Sequence, residues 1–326
     1  MSRVGVVVGK FFPPHRGHTH LIDVASKQVD RLVVIVCSKP DEAINGELRA
    51  SWIREIHPGV EVMRIDDIYD PDDSAVWAAN TVRWLGRAPD VVFTSEDYGP
   101  RWAALMGSAH VMVDRERTTM PYRARDIRAH PLVNLDAVEP CVRAFLVPRV
   151  VVLGAESTGT TSLATALAVH YGTAWVPEYG REYCETLLDL FSHAWRTEEF
   201  VAIAREQNRR EDRAARSAGP VLICDTDAFA TGVWHERYVG RRSADVEALA
   251  FGRRYAHTIV TDVDIPFVQD GLRDGETIRD WMHARFIERL REAGRPFTTV
   301  SGGLEARLSA ATSVIDAIAV SAVVGE

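Results

Sequence analysis

The sequence predicts an α/β protein of two modules, each built on a parallel β-sheet. Short apolar runs rich in β-branched residues alternate with segments whose apolar residues recur at helical spacing. The alternation occurs twice, on either side of a weakly patterned stretch with prolines at 131, 140 and 148. Each half also begins with a glycine-containing turn between a strand and a helix. We therefore expect one domain over residues 1–145 and a second over residues 146–326.

Composition limits the classes of partner. The chain has 326 residues and a formal net charge of −8, with no basic stripe interleaved with aromatic residues, so nucleic acid is not an expected partner. No apolar run approaches the length of a membrane span, and the N-terminus carries no signal-peptide pattern, which predicts a cytoplasmic protein without a membrane partner. Four scattered cysteines without CxxC spacing predict neither a disulfide framework nor a zinc site.

The first module is expected to contain five strands, at residues 4–8, 32–37, 60–65, 90–93 and 110–113. A helical stretch over 49–56 follows the second strand, and two helical segments are predicted between the third and fourth strands. In a sheet of parallel strands, groups that bind ligands gather at the carboxyl ends of the strands.

The turn after the first strand reads Gly9-Lys-Phe-Phe-Pro-Pro-His-Arg-Gly-His18. Two prolines stiffen it, Gly17 allows the backbone to approach a ligand closely, and the following helix offers unpaired N–H groups. His15 and His18 add imidazole donors, and Lys10 adds positive charge. The turn therefore predicts an anion site.

A basic segment, Met120 to Arg128, closes the first module. Its arginines at 123, 125 and 128 favour an anionic ligand, and a solvated basic turn is the alternative. The stretch from Pro131 to Pro148 is interpreted as a connection outside the core.

The second module begins with a predicted strand over Arg149–Leu153 and the turn Gly154-Ala-Glu-Ser-Thr-Gly-Thr-Thr161. This turn matches the P-loop pattern Gly-x-x-x-x-Gly-Lys-[Ser/Thr] except that Thr160 replaces the lysine. The backbone N–H groups would still cradle phosphates, and Thr161 could hold Mg²⁺. Because the lysine ammonium normally lies on the β- and γ-phosphates, its absence argues against fast phosphoryl transfer. The phosphate-binding candidates are Gly154, Ser157, Thr158, Gly159, Thr160, Thr161 and Ser162.

Further polar groups follow predicted strands of this module. Glu178 and Arg181 come after a strand at Trp175, suited to a hydroxyl and a phosphate, and the strand over 221–224 ends in Asp225-Thr-Asp227, where an aspartate can reach Mg²⁺. The segment 269–275, with Arg273 between two glycines, is typical of a lid over phosphates. Residues 205–216 are interpreted as a solvated helical face, and core positions of a last long helix are predicted at Ile278, Trp281, Met282, Phe286 and Leu290.

The spaced residues Gly9-x-Phe11-x-Pro13-x-His15-x-Gly17-His18 resemble the signature of the HxGH nucleotidylyltransferases. This resemblance implies a Rossmann-like first domain. Residues 120–128 lie where that superfamily carries a Ser/Thr-rich second phosphate motif ending in Arg; here Ile127 and Arg128 match, while Arg123 and Arg125 replace the hydroxyl residues.

The HxGH half is followed along the chain by the P-loop, then by Glu-Tyr-Gly-Arg-Glu and then by Asp-Thr-Asp. This order resembles the NadR-type family of nicotinamide-nucleotide adenylyltransferases and ribosylnicotinamide kinases. Some members carry an N-terminal helix-turn-helix repressor domain. Only eight residues precede the first turn here, so repression is not expected.

The resemblance implies that the first domain joins nicotinamide mononucleotide and ATP to give NAD and pyrophosphate. His15 and His18 would donate to the α-phosphate and the leaving pyrophosphate, Arg128 would hold the β- and γ-phosphates, and Mg²⁺ would bridge them. Gly9, Lys10, Phe11 and Gly17 would complete the ATP site. Arg49, Trp52 and Trp84 are candidates for the mononucleotide, with core packing as the alternative for both tryptophans.

The second domain would then phosphorylate ribosylnicotinamide at its 5′-hydroxyl. Glu178, Asp225 and Asp227 are candidates for base or metal ligand, and Arg181 or Arg273 could replace the missing lysine. A module that binds a nucleotide or riboside without turnover is the alternative for this half. For the first half, pantetheine phosphate or nicotinate mononucleotide remain possible acceptors. The analogy also allows a homo-oligomer.

Overall fold

The computed structural model describes residues 2–187, 193–270 and 276–321. The chain divides between Val142 and Arg143 into two compact units, each with its own five-stranded sheet. Every strand pair of the described residues is parallel, so the predicted α/β class is confirmed. No helix in these described ranges has the length and apolar character needed to cross a bilayer.

The first unit has strand order β3-β2-β1-β4-β5. Its elements are β1 Val4–Gly9, α1 Arg16–Ser26, β2 Arg31–Ser38, α2 Gly46–Ile56, β3 Glu61–Asp66, α3 Ser74–Leu85, β4 Val91–Thr94, α4 Gly99–Met106, β5 Ala109–Met112 and α5 Ala124–Ala129. The chain runs outward from β1 to β3 and returns to β4 on the other side of β1. The segments that follow β1 and β4 therefore flank one crevice at the carboxyl edge of the sheet.

The second unit has strand order β10-β9-β6-β8-β7, so β6 lies between β8 and β9. The helix α6, Pro140–Leu146, contains the division between the units. The further elements are β6 Arg149–Gly154, α7 Thr160–Tyr171, β7 Trp175–Val176, α8 Tyr179–Glu185, α9 Thr197–Ala215, β8 Leu222–Asp225, α10 Ala228–Val239, α11 Ala244–Phe251, β9 His257–Thr261, α12 Arg279–Glu292, β10 Phe297–Val300 and α13 Leu304–Ser321.

The strands form where β-branched side chains are buried on both faces of a sheet covered by helices. In β2, the residues from Leu32 to Val36 are at most 5% exposed. Such continuous apolar runs are typical of parallel strands. Some of the helices begin at polar caps: Asn45 accepts from the backbone N–H of Glu47 at 2.7 Å, and Asp73 accepts from Ala75 and Val76.

Several element predictions are wrong. One helix, α3, lies between β3 and β4, where two helical segments were expected, because the polar residues 67–73 form the loop to its cap. The stretch from 131 to 148 is not outside the core: Leu135 and Val138 are buried beside a 3₁₀ turn, and Val142 is buried in α6. Trp281 is 42% exposed, because it lies on the outer side of α12 while Met282 is buried.

The mixed-charge run 205–216 is not simply a solvated face. Glu211 on α9 is fully buried, where it accepts from the hydroxyl of Tyr255 at 2.8 Å and lies 3.5 Å from Nη1 of Arg149. Gln207 is also buried. An ionisable side chain reaches the core here because residues distant in sequence supply its partners.

Candidate functional site

The first candidate site lies at the turn between β1 and α1. His15 is the N-cap of α1, and its Nδ1 accepts from the backbone N–H of Gly17 at 3.1 Å. The backbone N–H of His15 donates in turn to Nδ1 of His18 at 3.3 Å. Because both Nδ1 atoms accept, each neutral ring carries its proton on Nε2. The cap therefore fixes two Nε2–H donors side by side, with ring centroids 3.8 Å apart.

Electrostatics keep these rings neutral. Burial lowers the pKa of His15 to about 4, with a smaller contribution from the Arg117 guanidinium. Burial also lowers the pKa of His18 well below its usual value, and His15 and Arg117 add to that effect. An anion bound here would therefore meet neutral donors from the imidazoles, with the net positive charge supplied by neighbouring side chains.

Glycines give this turn its shape. A Cβ on Gly17 would lie 2.9 Å from Cε1 of His15, so only glycine leaves the ring in place. Gly9 faces the ring of Phe11, which has a positive φ of 48° and packs edge-on against His18 at 4.9 Å. Gly9 and Phe11 thus form a wall behind the histidines.

Two cavities adjoin the histidines. One, of about 350 Å³, is lined by the aromatic side chains of Trp77, Tyr98 and Trp102. Nε1 of Trp102 is buried without a hydrogen-bond partner. We call this the aromatic cavity. The other, of about 670 Å³, contains Lys10, Arg117, Arg123, Arg125 and Arg128 and is called the basic cavity. Both are lined by His15 and His18.

The predicted basic residues lie at the second cavity. Arg128 donates to the carbonyl of Phe12 and lies over its ring, 4.7 Å from the centroid. Nζ of Lys10 is 3.6 Å from Asp67 and 3.9 Å from Glu42.

Three other candidates do not reach a cavity wall. Arg49 is fully buried, donating to the carbonyls of Cys37 and Lys10 and to Glu42, so it holds the β2–α2 connection in place. Trp52 is 5% exposed on α2, and Trp84 packs against Tyr69 and Trp77. Sequence reasoning missed Trp77, Tyr98, Trp102 and Arg117, which the strand order brings to the carboxyl edge. The sequence feature that could have identified these residues is their position after the strands β3, β4 and β5.

The second candidate site is the P-loop between β6 and α7. Ser157 and Gly159 have positive φ angles of 56° and 80°, which turn successive N–H groups toward one concavity. A Cβ on Gly154 would lie 2.1 Å from Oγ1 of Thr261, so the strand end requires glycine. Thr158 is buried and donates to the carbonyl of Ala155 at 2.6 Å, which fixes the loop from within.

Thr161 and Asp225 lie together at the start of α7 and the end of β8. Oγ1 of Thr161 donates to Oδ2 of Asp225 at 2.6 Å, while Oδ1 is buried without a partner. Burial raises the pKa of Asp225 to about 6, although the hydroxyls of Thr161 and Thr160 oppose that shift. A hydroxyl and a carboxylate oxygen are ligands suited to Mg²⁺. No group of three or more His, Cys, Asp or Glu in the described chain could hold a metal, so phosphates and water would complete the shell.

The cavity beside the P-loop, of about 210 Å³, has an acidic and an aromatic side. Glu156 and Glu178 are its carboxylates; burial, and secondly Asp225, raise the pKa of Glu178 to about 8. Arg181 also lines it and donates to Asp270 at 2.6 Å. The aromatic side contains Trp195, Phe200, Trp234 and Tyr238. We call this the P-loop cavity.

Two predicted residues lie elsewhere. Asp227 is fully buried and does not line this cavity: Oδ1 accepts from the N–H of Ala230, and Oδ2 lies 2.8 Å from Nη1 of Arg295. Its carboxylate therefore caps α10 and pairs with an arginine, away from the P-loop cavity. Arg273 lies outside the described residues.

The other predicted residues line the P-loop cavity, apart from Thr158 and Asp225, which lie beneath its wall: Gly154, Ser157, Gly159, Thr160, Thr161, Ser162, Glu178 and Arg181. The aromatic residues were missed because they come from distant parts of the chain: Trp195 precedes α9, Phe200 lies on α9, and Trp234 and Tyr238 lie on α10.

Comparisons with known proteins match the two halves of the chain to different families. A family model described as "Cytidylyltransferase-like" matches residues 6–130, and one described as "AAA domain" matches residues 149–307. The chain is 30% identical over 321 residues to the "Trifunctional NAD biosynthesis/regulator protein NadR" of Escherichia coli (strain K12), covering 91% of this chain and 78% of that protein. The Salmonella typhimurium protein of the same name is 29% identical over 325 residues, covering 92% and 79%.

Solved structures show the same fold. The "Crystal structure of NadR protein in complex with NR" has a TM-score of 0.79 and 19% identity, covering 97% of this chain and 96% of that one. A second, "in complex with NAD and AMP-PNP", has a TM-score of 0.75 and 20% identity, covering 98% and 96%.

Proposed function

The chain belongs to the NadR family, and on that premise we propose that it carries out two steps of NAD formation. Residues 1–145 transfer the adenylyl group of ATP to nicotinamide mononucleotide, giving NAD and pyrophosphate. Residues 146–326 phosphorylate ribosylnicotinamide at its 5′-hydroxyl. Relatives named for NAD biosynthesis, and similar structures titled as complexes with NR and with NAD and AMP-PNP, support both parts.

One observation carries the first proposal: two fixed Nε2–H donors stand where an aromatic cavity meets a basic one. A nucleotide that reacts at its α-phosphate presents a flat base on one side of that phosphate and a polyanion on the other. The aromatic cavity suits the base, and Lys10, Arg123, Arg125 and Arg128 suit the β- and γ-phosphates.

The proposed reaction requires no protein nucleophile. A phosphate oxygen of the mononucleotide attacks the α-phosphorus, the bond from that phosphorus to the bridging oxygen breaks, and pyrophosphate leaves. His15 and His18 donate their Nε2–H groups to the oxygens on which negative charge develops. The protein contributes alignment and charge neutralisation, which dominate catalysis in phosphoryl-type transfer. Mg²⁺ would neutralise phosphate charge in both domains.

In the second domain, the P-loop N–H groups would bind the ATP phosphates, and Thr161 with Asp225 would hold Mg²⁺. The aromatic side of the P-loop cavity suits the pyridinium ring of ribosylnicotinamide, because a cation stacks favourably on aromatic faces. We propose Glu178 as the acceptor of the 5′-hydroxyl proton, because its carboxylate lines the cavity whereas Asp227 is paired with Arg295. We propose Arg181 for the transferred phosphate.

A binding module without turnover is a second candidate for this domain. Thr160 in place of the lysine favours it, and so do two carboxylates, Glu156 and Glu178, against one arginine, Arg181, along the described cavity wall. Radiolabelled ATP with ribosylnicotinamide, followed by chromatography, discriminates between the two. Labelled mononucleotide formed at repeated turnover supports the kinase; ligand binding without product supports the module.

The adenylyl transfer is tested with a protein in which His15 and His18 are both alanine. We expect dinucleotide formation to fall by at least about a hundredfold, because donors at the reacting phosphate are lost. His20→Ala is the matched control, since His20 lies on the same helix and lines neither cavity. Dinucleotide made at the parental rate by the double variant refutes the proposal.

The acceptor is tested by pyrophosphate release from ATP with nicotinamide mononucleotide, nicotinate mononucleotide and pantetheine phosphate in parallel. We expect the highest kcat/KM with nicotinamide mononucleotide. A preference for pantetheine phosphate would contradict the assignment to NAD formation.

A further inference from the structure

Arg117 was not expected at the site from the sequence, but the fold brings it to the two cavities lined by His15 and His18. It follows β5 in a turn built on Asp114, whose carboxylate accepts from the N–H groups of Thr119 at 3.1 Å and Met120 at 2.9 Å. The N–H of Arg117 donates to the carbonyl of Asp114 at 2.9 Å. Both Asp114 and Arg117 have positive φ angles, 46° and 53°. Such conformations persist where surrounding bonds enforce them, so the backbone of Arg117 is held in one conformation.

The guanidinium lies where the two cavities meet. Among the described residues that line them, Lys10 and Arg117 are the basic side chains common to both, whereas Arg123, Arg125 and Arg128 line the basic cavity alone. Arg117 lowers the pKa of both His15 and His18, although burial is the larger cause. Lys10 has no such effect on either ring and lies instead near Asp67 and Glu42. Arg117 is therefore the cation next to the imidazole pair.

A phosphate can replace Glu96 as the ion-pair partner of Arg117. Nη2 lies 2.6 Å from Oε1 of Glu96, a side chain that is 56% exposed, while the Arg117 side chain is 30% exposed. A solvent-exposed ion pair of this kind contributes little free energy. A phosphate offers the planar guanidinium two parallel charge-assisted hydrogen bonds, which are stronger and more specific.

We propose that Arg117 binds the 5′-phosphate of the incoming mononucleotide and holds it against the α-phosphate of ATP beside His15 and His18. This inference rests on the proposed adenylyl transfer. The attacking group is an anion that must approach another anion, so a cation between them offsets their repulsion before the bond forms. The triphosphate has Lys10, Arg123, Arg125 and Arg128 along the basic cavity, which leaves Arg117 for the acceptor.

The test compares Arg117→Ala, Arg117→Lys and the control Arg115→Ala. Arg115 lies on the same turn, pairs with Asp97 at 2.6 Å and lines neither cavity. For Arg117→Ala we expect the KM for nicotinamide mononucleotide to rise by at least about tenfold, the loss of one charge-assisted hydrogen-bonded pair, while the KM for ATP stays within about twofold. Arg117→Lys should be intermediate because it keeps the charge without the planar fork. Arg115→Ala should resemble the parent.

A second measurement follows the histidines directly. In Arg117→Ala, the pKa of His15 measured by NMR should rise, because a neighbouring positive charge is removed. An unchanged His15 pKa would overturn the placement of the guanidinium. A mononucleotide KM within about twofold of the parent, or a larger rise in the KM for ATP, would overturn the assignment to the acceptor.

The two levels of failure can be told apart. If the parent makes no dinucleotide, the proposed function fails. If the parent is active and Arg117→Ala or, should that variant not fold, Arg117→Lys retains the parental mononucleotide KM, only the role of Arg117 fails.

Discussion

The surroundings of the two imidazoles of the first turn keep both rings neutral near pH 7. Each Nδ1 is occupied by a backbone N–H, and burial lowers both pKa values. A protonated His15 would have to lose its bond from Gly17 and carry a charge out of contact with water. The backbone hydrogen bonds and the burial of the two rings therefore determine both the protonation state of the imidazoles and how that state depends on pH.

The activity of the first domain should not decline as pH rises through 6 to 8, because no imidazole loses a proton there. The expected kcat/KM profile for dinucleotide formation is flat over that interval and falls only in acid. A profile that falls with an apparent pKa near 6.5 would show that a protonated histidine is needed.

The same pKa shift affects stability. The unfolded protein takes up a proton at His15 near pH 6.5, and the folded protein near pH 4, so the free energy of unfolding should decrease as pH falls between these values, by up to about 3 kcal/mol from this residue. His15→Asn, whose amide oxygen can still cap α1, should lose that part of the dependence in urea titrations at pH 7 and pH 5. His20→Asn should retain it.

Glu211 should have the opposite effect. Burial, and secondly Asp227, raise its pKa to about 8, so the folded protein holds a proton that the unfolded protein releases near pH 4.5. Its stabilising contribution is complete below that pH and is lost as pH rises toward 8. Glu211→Gln should unfold with a free energy that depends less on pH between about 5 and 8. Glu206→Gln, on the same helix, is the control, because Arg209 and then Arg210 hold the pKa of Glu206 near 2.

Among the elements, α10 connects the core of the second unit with its cavity. Asp227 caps its first turn and pairs with Arg295, which lies 4.7 Å over the ring of Phe229. Further along the same helix, Trp234 and Tyr238 line the P-loop cavity. The carboxylate that the sequence suggested as a base thus caps the helix that supplies an aromatic wall of the cavity.

Asp227→Asn should separate positioning from chemistry. Asparagine keeps a capping oxygen but loses the ion pair, so α10 should shift and the KM for ribosylnicotinamide should rise more than kcat falls. Glu178→Gln, by contrast, should lower kcat with little change in KM if Glu178 accepts the proton. A fall in kcat of about a hundredfold for Asp227→Asn at constant KM would return Asp227 to the catalytic group.

For the chain as a whole, the sequence was informative wherever the signal is local. Runs such as Leu32–Val36 predict buried strands, and the turns at His15 and Gly159 predict anion sites because their chemistry depends on neighbours along the chain. It was uninformative where distant residues meet. Nothing near Glu211 indicates its burial by Tyr255, and nothing near Trp195 or Arg117 indicates a cavity, because strand order and helix packing decide those contacts.

The two proposed activities on one chain allow the missing lysine to be tested with an internal reference. Thr160→Lys places an ammonium at the first residue of α7, where it can reach the β- and γ-phosphates beside Thr161. We expect riboside phosphorylation to increase by about ten- to a hundredfold, the effect of one charge-assisted hydrogen bond, while dinucleotide formation stays constant. Thr160→Met is the control for side-chain length without charge. An equal gain from methionine would show that the added charge is not the cause. No gain from lysine in a protein that still binds ribosylnicotinamide would indicate that this domain works without a cation at residue 160, or does not transfer phosphate at all.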